Sequence, residues 1–400
     1  MFILTFSAQL IFLFAASEMV QGIFLAALLY FHPKTDKSVN GFLSLYIICV
    51  CILLLIPAVQ QLFSSEAILY LMPFPLLIGP FLYLYVRSFK ETITWRKAWP
   101  HFVLFFIFLI LDYFFLPSWV NKYPSQKDSE QALLNPASNI RIIIRTIRNV
   151  QMIVYYFLAQ RTLTSYQKSI THLFSDISKI DLAWARWLIN GYLFLIISLL
   201  ALFYFVVQYP DQFELVIVIN TTVITPYIYL ITFKGLTQPT LWQTAANGQR
   251  DKLEKEIREA AEIEASKKDK KKNEFMKQQE NRSEQIVSRI TEKMQNEKLY
   301  QETELTLQNL ADSIGFPSYQ VSQAINERMN KNFYDLVNGC RVEEAKRLLL
   351  DPKNKNFTIL SIGFEAGFNS KTTFNTIFKK FTGLTPTAFK DKQQQAFVSL

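Results

Sequence analysis

Long apolar runs fill the first 233 residues and then stop. Residues 234–300 are nearly free of them, and a mixed pattern resumes beyond. A chain with this asymmetry cannot bury its apolar surface in one water-facing core. It must divide into an apolar half and a half built for water. Half of the 400 residues are apolar and 35 are Phe. The net charge of +9 is shared: 15 Lys/Arg stand against 11 Asp/Glu up to residue 233, and 27 against 22 after it. Such an excess suits a polyanionic partner or an anionic lipid surface. Three cysteines exclude a disulfide framework. Cys49 and Cys51 lie inside an apolar run and read as packing groups rather than metal ligands; Cys340 reads as a small buried apolar group. No Lys or Arg precedes the first apolar stretch and no small-residue cleavage site follows it. That stretch is therefore expected to stay as a span.

A bilayer core of about 30 Å needs about 20 mostly apolar residues as helix. Seven stretches qualify: 8–31, 41–63, 69–88, 99–116, 139–160, 187–208 and 213–233. Pro73, Pro75 and Pro80 predict a bent or broken third helix. The loops after the first, third and fifth stretches hold ten cations: Lys34, Lys37, Arg87, Lys90, Arg96, Lys97, Arg161, Lys168, Lys179 and Arg186. The loops after the second, fourth and sixth hold only Lys122 and Lys127. The positive-inside rule then puts the N-terminus outside and the C-terminus in the cytoplasm.

Ionisable groups inside spans are costly and mark candidate sites. Arg141, Arg145 and Arg148 share one face of the fifth stretch at i, i+4, i+7. Glu18, Asp112, Gln60 and Gln61 fall at a similar outer depth. One reading is an outward-facing cavity for an anionic or zwitterionic small ligand, clamped by the arginines. The other is a buried Arg–carboxylate network that orders the bundle, with Arg141 snorkelling to the interface.

Residues 234–283 read as a charged helical linker. Leu253, Ile257 and Ala260 make one short apolar stripe, and Ile286, Ile290 and Met294 make another. Between them lies Lys267-Lys268-Asp269-Lys270-Lys271-Lys272, suited to lipid head groups or to plain solubility. A parallel coiled coil giving a homodimer is one reading, and a solvated tether is the other.

Residues 284–400 read as an all-helical globular domain. Leu307, Leu310, Ala311 and Ile314 share a helical face, with Thr306 as N-cap and Gly315 as terminator. Ser318 is expected to cap a second helix to about Arg328, with Val321, Ala324 and Ile325 inward and Tyr319, Ser322, Gln323 and Asn326 outward. Helix, short glycine turn, helix over 306–328 is a helix-turn-helix pattern. A long helix, Asn332–Leu350, ends at Asp351-Pro352, and the pattern repeats over 358–381. There Thr358 caps Ile359–Ala366, Gly367 ends it, and Ser370 caps Lys371–Phe381. Phe374, Ile377, Phe378 and Phe381 make the inward stripe. Lys371, Thr372, Asn375, Thr376, Lys379 and Lys380 face outward, sized for base edges and phosphates.

Glu365-Ala366-Gly367-Phe368-Asn369-Ser370-Lys371-Thr372-Thr373-Phe374 and Phe378-Lys379-Lys380-Phe381-Thr382-Gly383-Leu384-Thr385-Pro386 resemble the signature of AraC/XylS-type transcription regulators. Leu310-Ala311, Ser322-Gln323-Ala324-Ile325-Asn326 and Arg341-Val342-Glu343-Glu344-Ala345 match its first half, and the likeness spans about 284–392. With Ile180-Asp181-Leu182-Ala183-Trp184 before the sixth stretch, the whole resembles the membrane-anchored members found in Bacteroidota-like bacteria. The resemblance implies two recognition helices in successive major grooves. Tyr319, Ser322 and Gln323 would read one segment, and Lys371, Thr372, Asn375 and Thr376 the other. Two departures stand out. Thr376 replaces a usual Arg, which removes a guanine contact. Gly363 replaces a usual Ala, which weakens its helix by about 1 kcal/mol.

An enzyme is not expected. His32, His101 and His172 are scattered, and H-E-x-x-H, P-loop and G-x-G-x-x-G motifs are absent. No cofactor or metal is called for. The expected architecture is all-α: a seven-span transmembrane helical bundle (1–233), the linker (234–283) and a DNA-binding domain (284–400). The expected function is a sequence-specific transcription regulator in the bacterial inner membrane, coupling an extracytoplasmic or membrane signal to promoter binding. Its expected partners are double-stranded promoter DNA, the bilayer and RNA polymerase. The rival is a membrane transporter or channel carrying a fused regulatory domain. A periplasm-active reporter fused after Ser125 should be active and one fused after Thr94 silent; activity from a fusion after Gln243 would end this topology.

Overall fold

The computed structural model describes residues 2–32, 37–62, 71, 73–120, 136–178, 180–208, 213–237 and 276–398. Among these every regular element is helical, and the only extended pairing is an isolated antiparallel bridge between Phe174 and Thr306. The chain forms two units, one of Met1–Thr164 and Leu182–Ala246, the other of Ser165–Asp181 and Asn247–Leu400. The division is not the one expected at residue 233. A piece of the apolar half, Ser165–Asp181, belongs to the C-terminal unit.

The first unit contains α1 (Phe2–Phe31), α2 (Lys37–Leu62), α3 (Ile78–Ser88), α4 (Val103–Val120), most of α5 (Pro136–Leu173), α6 (Ala183–Gln208) and α7 (Phe213–Thr237). Among the described residues, each of the seven expected stretches overlaps helix, the third only from Phe74 onward. By length and composition, two segments among the described residues can cross a membrane: Val39–Ile56 and Ala183–Leu202, with mean hydropathies of 2.6 and 1.7. Ala15–Phe31 and Phe74–Ser88 are shorter apolar helices. The prolines act as expected on the third stretch. Pro73 and Pro75 lack N–H groups, and the chain enters α3 through a 3₁₀ turn, Phe74–Leu77. Helix α5 runs past residue 160 to Leu173, so Arg161 and Lys168 are helical rather than in a loop.

Close approach in this unit depends on missing side chains. A Cβ on Gly22 of α1 would stand 2.1 Å from Cys51 Sγ of α2, and one on Gly191 of α6 would stand 2.1 Å from Tyr227 Cε2 of α7. Small residues at such crossings let helix backbones meet. Cys49 and Cys51 are buried and unbridged, as packing groups should be. Tyr46 and Tyr227 share a 2.8 Å hydroxyl contact, and Tyr192 donates to the Met152 carbonyl at 3.1 Å.

The second unit contains α8 (Met276–Gln295), α9 (Leu307–Ile314), α10 (Ser318–Arg328), α11 (Phe333–Leu350), α12 (Ile359–Glu365), α13 (Lys371–Thr382) and α14 (Pro386–Val398). Ile286, Ile290 and Met294 of α8 are buried, and α8 packs on α9 and α10. This corrects the coiled-coil reading for the second apolar stripe: it belongs to the core of its own domain. The first stripe, at Leu253, Ile257 and Ala260, lies outside the described residues. A second cluster joins Val342, Ala345 and Leu349 of α11 to Ile362 of α12, to Phe368, and to Phe374, Ile377 and Phe378 of α13. Phe381 departs from the expected inward stripe and is 40% exposed.

Three glycines in this unit have three different reasons. Gly315 has φ +73 but open space beyond its Cα, so a side chain meets only backbone strain. Gly363 has ordinary backbone, yet a Cβ would stand 2.6 Å from Phe374 Cδ1. Sequence logic marks Gly363 as a weak point in its helix, whereas the packing requires it. Gly367 combines both constraints: φ is +96, and a Cβ would stand 2.7 Å from the Tyr300 carbonyl oxygen. Gly367→Ala should therefore cost about 2–4 kcal/mol, against about 1 kcal/mol for Gly315→Ala. Hydrogen exchange of the α11 and α12 amides in the detergent-solubilised chain would measure both, and equal losses would refute the ranking.

Candidate nucleic-acid interface

The first helix-turn-helix is held by its caps. Thr306 accepts a hydrogen bond from the Asn309 amide at 3.1 Å, and its own N–H donates to Asn309 Oδ1 at 3.0 Å. This reciprocal box satisfies the first turn of α9. Gly315 ends α9 in the left-handed region, and Arg289 of α8 donates to the Ile314 carbonyl at 2.8 Å. Ser318 does not cap α10 as expected. Pro317 precedes that helix, and the Ser318 hydroxyl donates to Gln308 Oε1 of α9 at 2.6 Å, tying the two helices together.

The second helix-turn-helix repeats this plan. Thr358 accepts from the Ser361 amide at 3.0 Å, and Ser370 accepts from the Thr373 amide at 3.1 Å. Both caps match the sequence expectation. Between the two motifs α11 starts at Asn332, whose side chain accepts from the Asp335 amide at 2.7 Å.

The outward residues divide unevenly. On α13, Lys371, Thr372, Thr376, Lys379 and Lys380 are exposed and Asn375 is half-buried. Lys380 is already engaged: it pairs with Asp335 at 2.8 Å and lies 5.0 Å from the Tyr334 ring centre. On α10, Tyr319 is 50% exposed and Gln323 half-buried, bonded to Glu327 at 3.3 Å. Ser322 and Asn326, expected to face outward, are only 4% and 5% exposed. Asn326 meets a segment far away in sequence. Asn326 Nδ2 donates to the Ser322 carbonyl at 2.8 Å and points at His172 Nδ1, 3.3 Å away.

Sequence reading missed the residue that organises this unit. Arg341 is 1% exposed. Its Nε donates to the Tyr300 carbonyl and its Nη2 to the Glu302 carbonyl, each at 2.7 Å. Longer bonds at 3.3 Å reach Asn338 Oδ1 and Ser175 Oγ. Burial pushes its pKa down to about 10, so it remains a cation at neutral pH. Nothing in the local pattern of α11 marks it, because Glu343, Glu344, Lys346 and Arg347 surround it with charges that sequence alone cannot sort by depth.

In the first unit the candidate ligand residues are only partly visible. Glu18 is buried and accepts a hydrogen bond from Thr225 of α7; among the described residues its Oε2 has no hydrogen-bond partner. Arg148 is half-buried. The side chains of Arg141, Arg145, Asp112, Gln60 and Gln61 lie outside the described residues.

Residues 298–392 match the family described as a helix-turn-helix domain. This part of the chain is thus similar to helix-turn-helix domains of the AraC type. An uncharacterized HTH-type transcriptional regulator in the cgkA 5′ region of Pseudoalteromonas carrageenovora is 30% identical over 101 residues, which are 24% of this chain and 58% of that protein. Uncharacterized HTH-type transcriptional regulators of Staphylococcus aureus strains COL and N315 are 31% identical over 87 residues, 22% of this chain and 11% of each relative. The chain thus spans only about a tenth of the Staphylococcus relatives and just over half of the other. No solved structure matches.

One carboxylate in this domain sets a pH dependence. Glu344 accepts from Arg347 Nε at 2.9 Å and Nη2 at 3.0 Å, and from Lys298 Nζ at 3.1 Å. The Arg347 bonds, helped by Lys298, hold its pKa down to about 2. A carboxyl that is more acidic when folded stabilises the fold above the ordinary carboxylate range, and that contribution is lost as pH falls toward 2. Glu344→Gln should therefore be less stable than the parent at pH 7, with the gap closing as pH drops from about 4.5 to about 2. Urea unfolding followed across that range checks this; a gap that does not change with pH would contradict it.

Proposed function

We propose that this chain is a sequence-specific DNA-binding transcription regulator embedded in a bacterial inner membrane. The observation that carries the reading is the pair of helix-turn-helix motifs joined by α11, with the exposed face of α13 offering Lys371, Thr372, Asn375, Thr376 and Lys379. Amides and hydroxyls of this size read base edges, and the lysines meet phosphates. The relatives' names support the same reading. Double-stranded promoter DNA is the partner, and RNA polymerase is the machinery such a protein would address.

The membrane part of the reading rests on the apolar half. Large apolar side chains are exposed along its helices, among them Phe24, Phe106, Phe157, Ile197 and Tyr204, a surface suited to lipid rather than water. Loop charges put the N-terminus outside and the DNA-binding domain in the cytoplasm, where DNA is. In this reading the seven helical stretches span the bilayer and detect a signal outside or within it. The arginines at 141, 145 and 148 with Glu18 and Asp112 are the candidate site for an anionic or zwitterionic ligand. Dimerisation through the linker, 234–283, would let two copies bind paired half-sites. One observation favours a transporter or channel with a fused regulator: Glu18 is a buried carboxyl with one oxygen unpartnered, a group suited to handling an ion or proton.

The test is selection of DNA from a random pool by the full chain in nanodiscs. A defined sequence should emerge. Gln323→Ala and Asn375→Ala should each cost about 1–3 kcal/mol at one base position and relax the preference there, whereas Lys371→Ala should weaken all sequences alike and lower the salt slope by about one. Uniform losses from all three would show that the recognition faces are misplaced. Solute uptake by liposomes holding the chain would favour the transporter.

A further inference from the structure

We propose that Ser165–Asp181 is a clasp that holds the DNA-reading domain in a state unable to seat on DNA, an inference that rests on the DNA-binding reading above. This segment comprises the last turns of α5 and the stretch leading to α6, yet it packs as part of the C-terminal unit.

The clasp touches every functional part of the reader. Phe174 forms the antiparallel bridge to Thr306, the cap of α9. Ser175 donates to the Leu305 carbonyl twice, through its N–H at 3.2 Å and its hydroxyl at 2.6 Å. Its own carbonyl accepts from Asn338 Nδ2 of α11 at 2.8 Å, and its hydroxyl oxygen accepts from Arg341. His172 faces Asn326 at the end of α10. Asp176 accepts from Asn369, which immediately precedes the Ser370 cap of α13. One short segment thus reaches the first recognition helix, the residue just before the cap of the second, and the helix between them.

Two features make this contact competitive with DNA rather than neutral. Asn326 lies one turn after Ser322 and two turns after Tyr319, on the polar face of α10, and His172 occupies the space a base or phosphate would need to reach it. Asp176 sets a carboxylate beside the start of α13, the end of a recognition helix where a phosphate is favoured and a second anion is not. Both contacts imitate what the nucleic acid would supply.

The contact is also reversible in chemical terms. The groups across the seam are hydroxyl, imidazole, carboxylate, amide and guanidinium, all of which water can serve. When the clasp leaves, Arg341 keeps its two 2.7 Å bonds to the Tyr300 and Glu302 carbonyls, so the cation beneath is not orphaned. The clasp is covalently continuous with α5.

The experiment uses the full chain in nanodiscs and the DNA sequence it selects. His172→Ala, Asp176→Asn and the double variant should bind that DNA about fivefold to tenfold more tightly than the parent, because a competing closed state has been weakened. In the parent, adding the same DNA should speed hydrogen exchange at the Ser175 amide while the α11 amides stay protected. Equal or weaker binding by the variants, with α11 protection intact, overturns the clasp, as does a Ser175 amide indifferent to DNA. A chain that selects no sequence in any variant overturns the DNA-binding reading itself and the clasp with it. Binding that is equal with and without the clasp contacts overturns the clasp alone.

Discussion

Arg341 sits at the point where the C-terminal unit is assembled. A guanidinium taken out of water loses several kcal/mol of hydration, and only well-aligned acceptors offset that. Here the acceptors are main-chain carbonyls of Tyr300 and Glu302. Hydrogen bonds to a charged group stabilise by about 1.5–3 kcal/mol each, enough to fix the turn before α9 against the side of α11. Gly367 meets the same turn from the other side, since its missing Cβ leaves room for the Tyr300 carbonyl. One carbonyl therefore links the loop that starts the first helix-turn-helix, the helix between the two motifs and the turn of the second. Moving any of the three would leave a buried cation short of a partner.

The two motifs share a plan but are not equivalent. On α13 the polar face is open, and its inner face is an aromatic stack in which Phe374 touches both Phe368 and Phe378. That stack is dense enough to demand glycine at 363. On α10 the inner face is aliphatic and part of the outer face is covered. A reader with one open and one covered helix is suited to regulation, because its two half-contacts can be made available separately. Lys380 shows a smaller version of the same economy: its charge bonds Asp335 of α11 and so helps hold α13 in place.

The apolar half follows different rules. Its helices meet where a glycine removes a side chain, at Gly22 against Cys51 and at Gly191 against Tyr227. Besides Glu18 and Asn40, its buried polar groups among the described residues include tyrosines, serines and threonines that bond one another or nearby carbonyls, as in Ser44 to Ala26 and Thr232 to Ile228. Apolar side chains point outward as often as inward.

Local chemistry was enough to read most of the helices and caps. Thr306, Asn332, Thr358 and Ser370 cap as their side chains dictate, Gly315 and Gly367 take positive φ, and the prolines at 73 and 75 shorten their helix. Those features depend on residues a few positions apart, and a sequence displays such neighbours directly. Depth was not legible in the same way. Ser322 and Asn326 have the polarity and spacing of an outward face yet are buried, and Asn326 meets a histidine about 150 residues earlier in the chain. Ile286, Ile290 and Met294 look alike whether they zip to a second chain or pack on α9 and α10, because periodicity gives the stripe but not its partner. Arg341 is one cation in a run of charges, and its burial depends on where the Tyr300 and Glu302 carbonyls come to rest. Sequence determined which helices form and where they stop; tertiary structure alone decided which polar faces are covered, since coverage depends on contacts between residues that the chain order keeps apart.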